Sequence, residues 1–136
     1  MAHEPALEFL RRNPRSVLAT YRRDGQAQLS PVLAAVDAGN RVVISTRDGA
    51  IKTRNLRRNP RAAICVLSER FFGAWHTLEG NVEILTLPEA MEPLVDYYRS
   101  VSGEHPDWQE YREAMEREHR VLLRLTVDRS GPTVQG

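Results

Sequence analysis

Short runs of β-prone and apolar residues, punctuated by Asp-Gly, Gly-Asn and Asn-Pro pairs, fill most of this chain. Residues 5–12 read as a helix with a proline at its start, stopped by Asn13-Pro14. Residues 16–21 form a β-prone run, Asp24-Gly25 is a hairpin turn, and 28–36 is the return strand. Pro31 lies inside that return strand and cannot donate to a ladder, which predicts an edge or a bulge there. Gly39-Asn40 turns the chain into a third strand at 41–46. Asp48-Gly49 then opens a helix over 50–58, stopped by Asn59-Pro60. Strands follow at 61–67 and 73–87, the second interrupted by Gly80. Helices are expected from Pro88 to about Ser100 and from Pro106 to Glu118, separated by Ser102-Gly103. Met91, Leu94, Tyr97, Tyr98 and Val101 recur at helical spacing and read as packing residues. A last strand covers 120–127, and 129–136 reads as a frayed tail.

Hairpins come first and no β-α-β rhythm follows. The order predicts a mainly β protein with flanking helices, an antiparallel barrel rather than a doubly wound sheet. At 136 residues the length suits a single domain spanning 1–136, large enough to bury a core without disulfide or metal. Cys65, the only cysteine, sits in an apolar run and reads as a buried, inert thiol, so no disulfide framework is available. No apolar run approaches a membrane span, and the charged start is not a secretory signal, so a cytoplasmic location with no membrane partner is expected.

Charge adds one local feature. A net charge of +1 gives no general attraction to polyanions. Residues 47–61, however, carry six cations against Asp48 alone, while 104–118 is acidic and reads as a solvated helix face. Lys52 is the only lysine among 19 basic residues. It falls in the first turn of a helix that follows Ser45-Thr46, where free backbone N–H groups and the positive end of the helix dipole can hold a phosphate. A basic helix with an ordinary capped start is the simpler alternative. Nucleic acid is not the expected partner, because the arginines lack interleaved aromatics and a recognised module. His76 and Glu79 would face opposite sides of a strand, so no metal site is expected, and no nucleophile elbow, P-loop or dinucleotide fingerprint occurs.

Two blocks carry a family resemblance. Ser16-Val17-Leu18-Ala19-Thr20, Asp24-Gly25, Ser30-Pro31-Val32 and Ile44-Ser45-Thr46, followed by Lys52-Thr53-Arg54-Asn55-Leu56-Arg57-Arg58-Asn59-Pro60, resemble the pyridoxamine-phosphate-oxidase-like split β-barrel superfamily. The later residues Tyr98-Arg99, Gly103-Glu104-His105, Trp108, Tyr111-Arg112 and Met115 resemble its deazaflavin (coenzyme F-420)-dependent branch. The resemblance implies an FMN-binding-like split barrel, paired as a homodimer with the cofactor at the interface. It places Ser30, Pro31, Val32 and Leu33 along the cofactor ring, and Ser45 and Thr46 at the phosphate or polyol. Ile51 and Lys52 would then lie at the phosphate, with Trp75 near where the partner subunit reaches across. Pyridoxamine-phosphate oxidases have arginine where this chain has Ser30, and a C-terminal substrate arginine with no convincing equivalent after Val127, which favours the deazaflavin branch.

The implied activity is an F-420-dependent oxidoreductase moving hydride between reduced cofactor and a small conjugated or heteroaromatic substrate. An FMN-dependent enzyme of the same fold and a non-catalytic flavin- or deazaflavin-binding carrier are the alternatives. The redox chemistry would be the cofactor's, so no catalytic residue is named.

Overall fold

Seven strands pair antiparallel throughout, in the order β2-β1-β5-β6-β7-β4-β3. The computed structural model of the chain describes residues 2–132. The elements are α1 (Glu4–Arg12), β1 (Arg15–Tyr21), β2 (Ala27–Leu33), β3 (Ala35–Val36), β4 (Val42–Arg47), α2 (Ile51–Arg58), β5 (Arg61–Leu67), β6 (Trp75–Leu85), α3 (Met91–Ser102), α4 (Trp108–Arg117) and β7 (Arg120–Gly131). The sheet curls into a split barrel flanked by helices, as the element order predicts.

The split is visible in the strand expected at 28–36, which is two strands. Residues 27–33 pair with β1, whereas Ala35 and Val36 pair with Val43 and Val42 of β4. The chain therefore leaves one edge of the sheet and joins the other within two residues, through the buried Ala34, whose N–H is held by the Pro14 carbonyl at 2.9 Å. Pro31 lies on the edge strand β2, where no ladder needs its missing N–H.

Two cores result. Inside the barrel, Leu18, Val42, Ile44, Ile64, Val66, Leu78, Leu123 and Leu125 pack together, closed by Leu7 and Leu10 of α1 and Leu56 of α2. On the outer face of β4 and β7, Val43 and Leu122 pack under α3 and α4 against Leu94, Val95, Tyr111 and Met115. Met91, Tyr97, Tyr98 and Val101 pack against that second core, as their spacing predicts.

Several boundaries differ from expectation. The chain turns over 86–90 before α3, and that helix continues past Ser100 to Ser102, where Gly103 stops it at φ 79°. β7 does not fray at Arg129, because Arg129, Ser130 and Gly131 pair with Glu79, Leu78 and Thr77. The rest of the expected tail, 133–136, lies outside the described residues. Cys65 is half-buried on the outer face of β5 rather than in the core, and desolvation pushes its thiol up. Among the described residues no helix is long and apolar enough to cross a membrane.

Gly80 marks a β-bulge, with β6 continuous through it. A Cβ there would stand 1.9 Å from the Thr126 carbonyl oxygen, so β7 can approach only a glycine. Gly80→Ala should therefore destabilise the fold by about 2 kcal/mol or more. Urea unfolding checks this, and an unchanged midpoint would mean that the bulge absorbs the methyl group.

Candidate functional site

β4 ends in Ser45-Thr46-Arg47, and the chain turns at once into α2, whose eight residues begin at Ile51. Ala50 precedes the helix with extended dihedrals and supplies no side-chain cap. Asp48, the acid best placed in sequence to cap it, instead pairs with Arg57, whose guanidinium also donates to the Asp48 carbonyl at 3.1 Å. Thr53 turns inward and donates to the Arg47 carbonyl at 2.8 Å. The first turn of α2 therefore keeps its positive end open.

A cleft of about 600 Å³ opens beside that turn, lined by Thr46, Arg47, Gly49, Lys52, Arg117 and Arg120, among others. Four cations face one carboxylate there, that of Glu118. Arg120 holds Glu118 at 2.9 Å and Arg47 approaches it at 3.6 Å, which together pull its carboxyl below the usual range. The Lys52 ammonium has no hydrogen bond or ion pair among the described residues. The cleft has the charge and the free donors for a phosphate or carboxylate.

Beside it runs the split. Ser30 and Val32 of β2 face the barrel interior, while Leu29, Pro31 and Leu33 face out. The Ser30 hydroxyl is buried with no hydrogen-bond partner among the described residues, an arrangement that costs about 1–3 kcal/mol unless a partner is supplied. Across the gap, Tyr97 of α3 donates to the Leu33 carbonyl at 2.8 Å and lines a groove together with Ser45 of β4.

At the barrel mouth Asn55, buried on α2, donates to Thr20 at 3.2 Å, and Thr20 is held by Gln28 at 3.3 Å. Arg58 donates to the Tyr21 carbonyl at 2.9 Å and to Asn55. Arg61 makes a two-pronged pair with Asp128 at 2.5 and 2.8 Å. So Arg57, Arg58 and Arg61, which the sequence offers as free cations, are committed within the chain. Arg54 has no such partner among the described residues. It shares a second open cleft with Arg23 and Ile51 on the other flank of α2.

The structure brings Thr46 and Lys52 into one cleft, with Leu33 and Ser45 in the adjoining groove and Ile51 on the opposite flank. It does not bring Trp75 there. Trp75 pairs with Leu67 at the end of the β5–β6 ladder far from the Arg61–Asn81 pair, and it is half-exposed on the outer face. His76 interacts with the Gly131 carbonyl and stacks on Phe9, and no metal-binding group of three side chains occurs among the described residues. Sequence reasoning missed Tyr97, Glu118 and Arg120. Helical spacing marks Tyr97 only as core, and only the fold brings the last two to the end of β4.

Residues 2–132 match the family profile described as pyridoxamine 5'-phosphate oxidase. Among solved structures, a conserved hypothetical protein from Mycobacterium tuberculosis is 24% identical, with a TM-score of 0.78 over 100% of this chain and 93% of that one. An F-420 reductase is 22% identical, with a TM-score of 0.71 over 96% of this chain and 97% of that one. A heme binding protein from Mycobacterium smegmatis is 23% identical, with a TM-score of 0.68 over 92% of this chain and 52% of that one. At these identities the likeness is one of fold.

Burial pushes the Tyr111 hydroxyl up to about 12, and it pushes Tyr97 up against the opposing pull of the Ser45 N–H. An unfolded tyrosine ionises near 10, so the unfolded chain loses these protons first. Their contribution to stability is complete below that pH and disappears as pH rises toward 12. Absorbance titration should show a late-ionising component that Tyr97→Phe and Tyr111→Phe each diminish. Its absence from the parent protein would mean that both hydroxyls are open to water.

Proposed function

The chain belongs to the pyridoxamine 5'-phosphate oxidase family, and from that membership we propose that it is a deazaflavin (F-420)-dependent oxidoreductase that works as a homodimer. The observation that carries the reading is the uncapped start of α2 with the unpaired Lys52, in a cleft where four cations meet one carboxylate. A dianionic phosphate supplies what that geometry lacks. The buried, unpartnered hydroxyl of Ser30 is a second fit, because a polar group lying along β2 would satisfy it.

Lys52 and the backbone N–H groups of the first turn of α2 would hold the phosphate, with Ser45 and Thr46 at the strand end. Ile51 would contribute to the phosphate site through its place in that first turn, with its side chain toward the opposite flank, and Ser30, Pro31, Val32 and Leu33 would lie along the ring. When bound, the deazaflavin supplies a two-electron hydride carrier. The protein's own part is to orient the ring and to keep water from one face. That division of labour accounts for a site with no paired acid and base and no activated nucleophile.

Two observations favour F-420 over FMN. Arg23 and Arg54, which have no ion pair among the described residues, are cations available on the other flank of α2 for charges beyond the phosphate, which F-420 has and FMN lacks. An F-420 reductase shares the fold over nearly its whole length. Dimerisation is supported by the outer face of β1, β2 and β5. Leu29 is 63% exposed and Leu33 43% exposed there, beside Val17, Ala19, Ala63 and Cys65, and the β5–β6 hairpin carries Phe72 at 97% exposure next to Trp75. A second copy on this face would remove that apolar surface from water and would bring its own Trp75 to the interface.

Lys52→Ala should lower F-420 affinity roughly 10- to 150-fold, the equivalent of a charge-assisted contact of ~1.5–3 kcal/mol, with the fold intact. F-420 should bind more tightly than FMN, and the difference should shrink as salt screens Arg23 and Arg54. Titration of both cofactors at low and high ionic strength measures this. Equal or tighter FMN binding with no salt-dependent gap would leave the FMN enzyme as the reading.

In sedimentation the parent should be a dimer at micromolar concentration. Leu29→Asp should shift it to monomer and weaken cofactor binding together. A monomeric parent with full cofactor affinity would remove the shared site.

A further inference from the structure

On the outer face of the sheet, α3 leaves part of β4 and β7 uncovered. A cavity of about 370 Å³ opens there, within the size range of small-ligand sites. Its floor is Val43 of β4 and Leu122 of β7, both buried. One wall is the turn from Asp37 to Arg41 that joins β3 to β4. The facing wall is Pro93, Asp96, Tyr97 and Ser100, whose spacing places them on one face of α3. The cavity shares only Tyr97 with the groove beside Leu33 and Ser45, and shares no residue with the cleft at Lys52. It stands apart from the site proposed for the cofactor.

The charges around it do not balance. Arg41 pairs with Asp37 at 3.1 Å, and Arg124 donates twice to Glu83, at 2.6 and 3.1 Å. Both guanidiniums are thus neutralised within the chain. Their remaining N–H groups reach water, because among the described residues only the Ser30 hydroxyl is buried without a partner. Asp96 is the third carboxylate, and Arg99, the one cation near it, stands 3.9 Å away. Arg99 is engaged elsewhere, paired with Glu104 at 3.0 Å and lying over the Trp108 ring at 4.8 Å. One negative charge is left at the rim.

Hydrogen-bonding capacity points the same way. Ser100 donates its proton to the Asp96 carbonyl at 3.1 Å, and Tyr97 donates its own to the Leu33 carbonyl at 2.8 Å. The side chains of the α3 wall therefore keep acceptors to offer and no free donor.

We propose that this cavity is a second binding site, and that it takes a small hydrophobic amine in its protonated form. The ammonium group would lie at the rim beside Asp96 and Ser100, and the apolar body would cover Val43 and Leu122. Burial of that body supplies most of the attraction, because Asp96 is 77% exposed and an exposed ion pair contributes little. The charge decides which ligand enters. A carboxylate of the same shape would meet Asp96 bare, and guanidiniums that already have partners. Occupancy requires neither F-420 nor a redox role.

Calorimetric titration of the full-length protein with 3-phenylpropylamine tests this, with 3-phenylpropanol and 3-phenylpropanoate as the neutral and anionic counterparts. At low salt the amine should bind once per chain, about threefold more tightly than the alcohol and about tenfold more tightly than the carboxylate. Salt should narrow the gap between amine and alcohol. Asp96→Asn should bring the amine down to the affinity of the alcohol and leave the alcohol unchanged. Ser100→Trp, at an exposed position of α3, fills the cavity and should abolish binding of both while circular dichroism stays at the parental signal. The proposal is overturned by a parent that does not bind the amine, by alcohol binding equal to the amine at low salt, or by parental amine affinity in either variant. Displacement of the amine by F-420 would also overturn it, because the cavity would then belong to the cofactor.

Discussion

A curled sheet that does not close leaves two rows of backbone N–H and C=O groups at its edges, and the rest of this molecule is arranged around that gap. Burying those groups unpaired would cost more than the fold can tolerate, and leaving them bare would invite edge-to-edge association. The chain meets the constraint in three ways. It crosses from β2 to β3 at the buried Ala34, so the edges are tied covalently at one end. Pro31 removes one donor from the β2 edge. Tyr97 reaches down from α3 beside Ser45 of β4 and occupies an acceptor of β2 with its hydroxyl. What remains is the buried, unpartnered hydroxyl of Ser30 on β2 and, at the end of β4, the uncapped start of α2.

The arginines around α2 then divide by task. Arg57 neutralises Asp48, Arg58 ties α2 to the end of β1, and Arg61 ties β5 to β7 through Asp128. Exposed ion pairs of this kind contribute ~0–1 kcal/mol each, so their consequence is positional more than energetic. They fix the axis of α2 against the barrel mouth and draw the Asp48 carboxylate away from its N-terminus. Lys52 is left as a compact point charge on a flexible stem, able to follow a tetrahedral anion where the flat fork of an arginine would impose its own geometry.

Most of the fold could be read from the sequence because turn chemistry is local. Asp24-Gly25, Gly39-Asn40 and Ser102-Gly103 each mark a reversal, with Gly25, Asn40 and Gly103 at positive φ. The places where reading failed are places where partner choice is not local. Nothing in residues 28–36 says that the strand changes neighbours at Ala34, since that follows from how far the sheet curls. Arg129 to Gly131 have the polar character of a tail, and only pairing with β6 makes them strand. The site divides in the same way. Lys52 stands out because its helix start follows directly from β4, whereas Glu118 and Arg120 join it only because β7 lies beside β4. The clustered arginines read alike in sequence and differ only in which carboxylate or carbonyl the fold sets opposite each one.

The outer face of the sheet is covered unequally, and this connects assembly to the site. α3 and α4 cover β4 and β7, but the outer residues of β1, β2 and β5 stay in contact with solvent. Leu29 and Leu33 belong to that bare face, while Ser30 and Val32, alternating with them, face the barrel interior. In a strand the two faces share one backbone, so pressing a second copy against Leu29 and Leu33 also fixes the position of Ser30. A ligand lying along β2 fixes the same backbone from the other side. Association and cofactor binding would then stabilise each other through β2, in proportion to how much of its motion each one removes.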